Sequence, residues 1–242
     1  MKRRRWVAGG VAALVCAAGV LLAALAFAQD EVPITITVTT KVTPNRAGTP
    51  KHPQGIRIDV RAKIGIPSDY DPPLVQHVDV WFPRGGLYNG AKYPACNLRL
   101  LARRGPSICP KRSIMGHATA TARADTVFTY PKITVINGGA TKVYFYTVLQ
   151  VPARVAEPVV GDIVKLSGDP KWSYHLRVSI PKNLQIVAGI PLRLDEVHGV
   201  AGRGDWLATT SCPADHRWRW HAEGSFSTGQ VVKYDGSVGC RS

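Results

Sequence analysis

A single run of alternation, residues 56–66, constrains the fold more than any other feature of the sequence. Six apolar side chains occupy every second position from Ile56 to Ile66. The intervening positions begin with four charged residues, namely Arg57, Asp59, Arg61 and Lys63. Because the side chains of an extended chain alternate between two faces, this period of two predicts a β-strand with one buried face and one solvated face.

Comparable runs recur along the chain and predict a protein built from strands. β-branched and aromatic residues alternate or cluster between glycine and proline residues, which is typical of short strands joined by turns. The predicted strands are 34–39, 56–66, 78–82, 117–122, 133–136, 143–151, 174–180, 185–187, 218–226, 231–234 and 237–240. Residues 152–172 are predicted to be a long connection with one short strand at 162–166, because proline and glycine punctuate them.

One helix is predicted, between Cys96 and Cys109. Its apolar residues have helical spacing and are Leu98, Leu101 and Ala102. Gly105-Pro106 is a strong signal for the end of a helix. These elements together predict an all-β fold, an antiparallel β-sandwich or partly open barrel with this one short helix.

The first 28 residues are predicted to be an export signal. Four basic residues follow Met1, the run 6–28 is uncharged, and Ala26-Phe27-Ala28 has the small residues of a cleavage site. The uncharged run is also long enough to cross a bilayer, so an uncleaved N-terminal anchor is the alternative. Residues 29–242 are expected to form a single exported domain, with a division near residue 125 as the alternative, because no linker marks a boundary.

The cysteines predict two disulfide bonds. Removal of residues 1–28 would lower the net charge from +15 to +11 and leave four cysteines. An even number of cysteines in an exported protein indicates disulfides, for which three connectivities are possible. The expected pairs are Cys96 with Cys109 and Cys212 with Cys240, because the partners are close in sequence and each pair opens with a similar turn.

Two sets of motifs resemble exported proteins of high-GC bacteria that have no assigned activity. The first set is Leu87-Tyr88-Asn89-Gly90, the short helix after Cys96, Gly105-Pro106, Cys109-Pro110-Lys111 and the small-residue strand after Gly116. The second set is Thr210-Ser211-Cys212-Pro213, Trp218, Trp220, Phe226, Asp235-Gly236 and Cys240. The resemblance implies an exported all-β domain with two local disulfides, and it implies no catalytic residue.

The segment 80–124 contains eight basic residues and no acidic residue. Soluble surfaces usually intersperse both signs of charge, so the imbalance indicates a surface for an anionic partner. The predicted binding residues are Arg99, Arg103, Arg104, Lys111 and Arg112. A solvated surface without any partner explains the same charges, because lysine and arginine are normally exposed.

Catalytic patterns in the sequence are weak. His77 and Asp79 share a strand face, as a general base and its orienting carboxylate would, but no serine motif accompanies them. The run Ser237-Val238-Gly239-Cys240-Arg241 resembles the nucleophile motif of cell-wall L,D-transpeptidases. Val238 replaces the motif histidine, however, and a disulfide is the better assignment for Cys240. No zinc or copper ligand pattern occurs, so no metal and no cofactor is expected.

Carboxylates and tryptophans supply the remaining candidates. A glycan hydrolase needs two carboxylates that face each other across a cleft. The loop candidates are Asp162, Asp169, Asp195, Glu196 and Asp205. Trp218 and Trp220 are expected to form a core stripe with Ala222 and Phe226, whereas Trp81, Trp172 and Trp206 are expected to be the more exposed tryptophans.

The sequence therefore predicts a non-catalytic β-sandwich protein that is secreted or held at the cell envelope. We expect it to dock on an anionic envelope polymer or on lipid headgroups through the five basic residues, and no motif for specific nucleic-acid binding occurs. The alternative function is a cell-wall or glycan hydrolase that uses loop carboxylates. The alternative location is a membrane, reached through the uncleaved N-terminal segment.

Overall fold

The structure is a computed structural model that describes residues 31–67 and 69–242. The predicted signal or anchor at 1–28 lies outside the described residues. The strands are β1 (Thr35–Thr43), β2 (Gln54–Gly55), β3 (Arg57–Gly65), β4 (Val75–Pro83), β5 (Gly86–Tyr88), β6 (Ile114–Ala124), β7 (Val127–Thr129), β8 (Lys132–Asn137), β9 (Lys142–Leu149), β10 (Val155–Lys165), β11 (Trp172–Ser179), β12 (Ile186–Val187), β13 (Ile190–Ala201), β14 (Leu207–Thr209), β15 (Arg217–Phe226) and β16 (Val231–Gly239). The helices are α1 (Leu98–Arg104) and α2 (Lys182–Gln185), with 3₁₀ turns at Gly90–Lys92, Pro106–Ile108 and Lys111–Ser113.

The predicted all-β class is confirmed. The main sheet has the strand order β1-β3-β13-β6-β8-β9-β10-β11-β4-β15-β16, and β7 and β12 pair with β6 and β13 at its margin. Neighbouring strands in this order are antiparallel. A second, small sheet has the order β2-β14-β5.

The main sheet curls into an almost closed barrel. Its two edge strands, β1 and β16, approach each other, and side chains bridge the gap between them. The Tyr234 hydroxyl donates to the Val38 carbonyl at 3.0 Å, and Gln230 Nε2 donates to the Val32 carbonyl at 2.8 Å. Near closure removes most of the unpaired edge that an open sheet would present to other chains.

Antiparallel pairing places the strand connections at two ends of the barrel. We call one end the rim; it holds the start of β1, the β6–β7 turn, the β9–β10 connection, α2 with β12, and the β15–β16 turn. The opposite end holds the disulfide between Cys212 and Cys240, which joins the approach to β15 to the end of β16.

The strand at residues 56–66 has the predicted two faces. Ile56 and Ile66 are buried, and the apolar positions between them are half-buried. Arg61 and Lys63 lie exposed on the opposite face. The alternation therefore predicted both the strand and its inward side.

The predicted helix is confirmed as α1, and both predicted disulfides are present. α1 packs on the outside of the barrel, where fully buried Leu101 contacts a cluster that contains Ile136, Tyr144 and Tyr146. The structure adds a second short helix, α2, whose Leu184 belongs to a buried cluster at the rim.

The predicted long connection at 152–172 is wrong, because β10 occupies Val155–Lys165. Gly161 suggested a loop, but it lies inside the strand. A Cβ atom at Gly161 would come within 2.8 Å of Leu176 and Val143 and within 3.1 Å of Phe145. Glycine is therefore required there by close packing rather than by a turn.

Candidate functional site

The predicted binding residues lie on a short segment with well-defined local structure. The Asn97 side chain caps α1 by accepting a hydrogen bond from the Leu100 backbone at 3.1 Å. Gly105 ends the helix with φ 74°, a value that favours glycine, and its N–H donates to the Leu101 carbonyl at 2.8 Å. The disulfide between Cys96 and Cys109 encloses the whole helix.

The fully buried side chain of Asn137 ties this segment to the barrel. Asn137 Nδ2 lies 3.0–3.1 Å from the carbonyl oxygens of Gly90, Tyr93 and Pro94. Its Oδ1 accepts hydrogen bonds from Trp206 Nε1 at 3.0 Å and from the Tyr88 hydroxyl at 3.2 Å. One amide thus joins three parts of the chain, and burial raises the pKa of Tyr88 above its ordinary value.

All five predicted binding residues are exposed. They are Arg99, Arg103, Arg104, Lys111 and Arg112, and we call them the basic patch. Within residues 31–67 and 69–242, none of the five forms an ion pair with an acidic side chain. Their charges are therefore presented to solvent.

Two other cations of the acid-free segment are neutralised by acids from distant parts of the chain. Lys92 Nζ lies 2.8 Å from Asp205, and Arg123 Nε lies 2.8 Å from Asp195. Hydrogen bonds from Lys92 and then from Tyr93 hold the pKa of the Asp205 carboxyl below its usual range. The folded surface of this segment therefore has fewer unpaired positive charges than the sequence of the segment alone indicates.

An open groove of about 1240 Å³ runs between α1 and β10. Arg99 lines it together with Arg154, and the other members of the basic patch lie outside its lining. Glu157 also lines the groove, and its Oε2 is buried without a hydrogen-bond partner among the described residues. The basic patch is accordingly spread over α1 and the turn after Cys109 rather than gathered in the groove.

A second polar cluster, which the sequence did not predict, lies on the outer face of β11, β4 and β15. His175, Trp81 and His221 occupy paired positions on these strands, and we call them the histidine–tryptophan row. The His175 and Trp81 rings stack with centroids 4.1 Å apart, and the Trp81 and His221 centroids are 5.2 Å apart. Alternation within each strand could indicate the face of each residue, but not the register that brings the three rings together.

Carboxylates hold both imidazoles of the row. His175 Nε2 lies 2.7 Å from Asp79, while His221 is hydrogen-bonded through Nδ1 to Asp235 at 2.8 Å and through Nε2 to Glu223 at 3.1 Å. Partial burial acts to lower the pKa of His221, but the bonds to Glu223 and Asp235 outweigh it and the pKa is raised. The same contact with His221 lowers the pKa of Glu223.

The structure separates the predicted His77 and Asp79 pair. His77 Nδ1 is hydrogen-bonded to the Ser179 hydroxyl at 3.1 Å, whereas the partner of Asp79 is His175. The two residues share a face, as predicted, but each contacts a different residue of β11.

The candidate hydrolase carboxylates have separate partners. Asp162 pairs with Lys142, Asp195 with Arg123, Glu196 with Arg61 and Lys63, and Asp205 with Lys92, while Asp169 accepts bonds from the backbone of Lys171 and Trp172. Asp162 lies on β10 and Asp195 on β13, which are four steps apart in the strand order. Four steps correspond to a separation of about 19 Å along the sheet. The two catalytic carboxyl groups of a glycosidase are only roughly 5–10 Å apart.

The tryptophans divide differently from the prediction. Trp206 is buried, so the prediction that it is exposed is wrong. Its indole N–H donates a hydrogen bond to Asn137 Oδ1. Trp81 and Trp172 are half-buried. Trp218 is buried as expected, and Trp220 stacks on Tyr234 with centroids 5.4 Å apart.

No group of three or more histidine, cysteine or acidic side chains in the described part of the chain is placed to hold a metal ion. Residues 31–67 and 69–242 contain no helix with the length and apolar character of a transmembrane span. The two disulfides suggest an oxidising, extracellular environment. The chain matches no protein-family model, no curated protein and no solved structure.

Proposed function

We propose that this protein is a non-catalytic envelope protein that docks on an anionic polymer of the cell envelope through the basic patch. The observation that carries the proposal is the exposure of Arg99, Arg103, Arg104, Lys111 and Arg112 without an acidic partner among the described residues. Surface cations with no internal partner remain available to phosphate or carboxylate groups of a ligand.

The rigidity of the segment supports binding. Leu101 is fully buried, Asn137 holds the preceding turn, and the disulfide joins the two ends of the segment. Cations on a rigid segment lose less conformational entropy when they bind than cations on a mobile loop would lose. The disulfide and the cap therefore support the function by holding the charges in place.

The spread of the patch favours a polymer over a small ligand. The three arginines lie on α1, whereas Lys111 and Arg112 lie on the second 3₁₀ turn after α1, Lys111–Ser113. A small anion would contact one or two of these side chains, whereas a chain of repeated charges can contact all of them. Release of counterions from such a polymer would make binding strongly dependent on salt.

The test is retention of the protein on isolated cell walls as sodium chloride is raised. A variant that replaces all five residues of the basic patch with serine should be released at much lower salt than the original protein. The matched control replaces five exposed cations elsewhere, namely Lys41, Lys51, Arg57, Lys165 and Lys171, with serine and changes the net charge equally.

The comparison separates a local site from general attraction. Retention of the control with loss of the patch variant is the expected result. Equal release of the two variants would show that net charge alone drives binding, and unchanged retention of the patch variant would refute the proposal. Stronger retention on anionic lipid vesicles than on walls would assign the patch to a membrane instead.

A further inference from the structure

Exposed apolar side chains are concentrated at the rim of the barrel. Eight large apolar side chains of the described residues are at least 42% exposed. Six of them lie at the rim, namely Val127, Phe128, Tyr130, Val151, Ile186 and Val231. The other two are Leu100 on α1 and Val164 on β10. Single exposed apolar residues need no explanation, but a concentration at one end of a molecule indicates an interaction surface.

The register of the sheet fixes this placement. Val127 pairs with Ala124 at the end of β6, and Ile186 pairs with Pro191 near the start of β13. Val231 pairs with Ser225 near the end of β15. Val151 lies in the turn that joins β9 to β10. These elements surround one end of the barrel, which is the end where β1 begins.

The rim side chains are held on ordered elements. The guanidinium carbon of Arg123 lies 5.5 Å from the centre of the Phe128 ring, and Arg123 is itself fixed by Asp195. Ile186 is adjacent to Val187, which is buried in the rim cluster with Leu184. The apolar surface is therefore a stable feature of the fold.

The charges of the rim suit lipid headgroups. Exposed Lys132, Arg154 and Lys182 lie among the apolar residues, and none forms an ion pair among residues 31–67 and 69–242. Long basic side chains can extend to headgroup phosphates while their stems lie along apolar surface. The same end also carries acids such as Asp69 and Asp125, so its charge fits a zwitterionic surface.

The sequence before β1 indicates that a lipid bilayer is the partner of the rim. β1 starts at the rim, and in the sequence the uncharged run 6–28 precedes β1 by a few residues. Only residues 29–34 lie between Ala28 and Thr35, a span of at most about 25 Å when extended. A bilayer that held the uncharged run would thus lie within reach of the rim.

We propose that the rim rests on the surface of a lipid bilayer, with the β6–β7 hairpin and the β9–β10 turn at the level of the headgroups. A tyrosine such as Tyr130 is favoured at that depth because its ring is amphipathic. The basic patch, on the outer side of the barrel, would remain free to bind a polymer. This inference concerns a different surface from the proposed function and does not depend on it.

The test is lipid photolabelling of the full chain in phosphatidylcholine vesicles that contain a diazirine lipid, followed by mapping of adducts by mass spectrometry. Zwitterionic lipid is chosen so that the basic patch is not drawn to the membrane. Adducts are expected on Phe128, Tyr130, Val151 and Ile186. Val164 is the internal control, since it is exposed to a similar degree but lies near the end of β10, away from the rim.

A variant with serine at positions 127, 128 and 130 should lose the hairpin adducts and show weaker labelling of Ile186. Equal labelling of Val164 would show contact without orientation and would overturn the proposal. An unlabelled rim would also overturn it. Cross-links from rim to rim between two protein molecules would assign the surface to self-association instead.

Discussion

Replacement of Asn137 by alanine should destabilise the protein strongly, because this amide serves buried groups on three parts of the chain. The substitution leaves the buried indole N–H of Trp206 without its acceptor. It also removes one of two donors to the carbonyl of buried Gly90, which keeps the bond from the Tyr93 N–H at 3.3 Å. Each unpaired buried group costs about 1–3 kcal/mol. The Tyr88 hydroxyl keeps acceptors at Gly139 and Lys142 and adds little to the loss.

The expected loss of unfolding free energy is therefore about 3 kcal/mol, of which about 2 kcal/mol comes from the unpaired indole N–H and about 1 kcal/mol from the lost bond to the Gly90 carbonyl. With a urea dependence of about 2.5 kcal/mol per molar, the unfolding midpoint should fall by about 1.2 M. Hydrogen exchange should also accelerate in residues 90–96, because their anchor is lost. Asn183→Ala, on an exposed residue of α2, is the matched control and should change stability by less than about 0.5 kcal/mol.

Urea unfolding of Asn137→Ala, followed by tryptophan fluorescence, measures this loss of unfolding free energy. A loss below about 1 kcal/mol, or a loss equal to that of the Asn183 control, would refute the account of Asn137 as a buried anchor.

Three further predictions concern the barrel and its bonds. Gly161→Ala should lower the free energy of unfolding by about 1–3 kcal/mol, because the added Cβ would crowd Leu176 and Val143. The control is Gly239→Ala in β16, which should be neutral because a Cβ there meets nothing within 4 Å. Equal effects of the two substitutions in urea unfolding would contradict the packing argument. Serine replacement of Cys96 and Cys109, whose sequence separation is 13, should lower the free energy of unfolding by about 3 kcal/mol. Serine replacement of Cys212 and Cys240, whose separation is 28, should lower it by about 3.5 kcal/mol, because the closed loop is longer. A loss below about 1 kcal/mol for either pair would contradict this prediction. His221→Gln should cost about 1 kcal/mol in mildly acidic solution. The raised pKa of His221 means that its contribution is complete below the ordinary value of 6.5 and is lost as pH rises through the higher folded value; a difference between the two proteins that grew with pH would contradict the assignment.

Local patterns in the sequence were enough to predict the strands with uninterrupted alternation, the helix α1 and both disulfides. They failed at β13, where the alternation changes phase. A bulge at Asp195, between Leu194 and Glu196, inserts one residue, so that Leu194 pairs with Ala122 but Val197 pairs with Ala120. A period-two pattern cannot be followed through such an insertion without knowledge of the neighbouring strand.

The candidate site was predictable in its charges but not in their pairing. Arg99, Arg103 and Arg104 were predicted as exposed cations from their sequence alone, and they are exposed. The acids that neutralise Lys92 and Arg123 lie 113 and 72 residues away in sequence, so only the fold reveals those contacts. The histidine–tryptophan row and the rim depend in the same way on strand register.

Binding of the basic patch to an anionic polymer predicts a steep salt dependence of the affinity for long-chain polyphosphate. If all five cations contact the polymer, a threefold rise in salt should weaken binding on the order of a hundredfold. We expect this steep dependence to be kept in the control variant with five cations replaced elsewhere and to be largely lost when the basic patch is replaced by serine. The same salt dependence in all three proteins would contradict it.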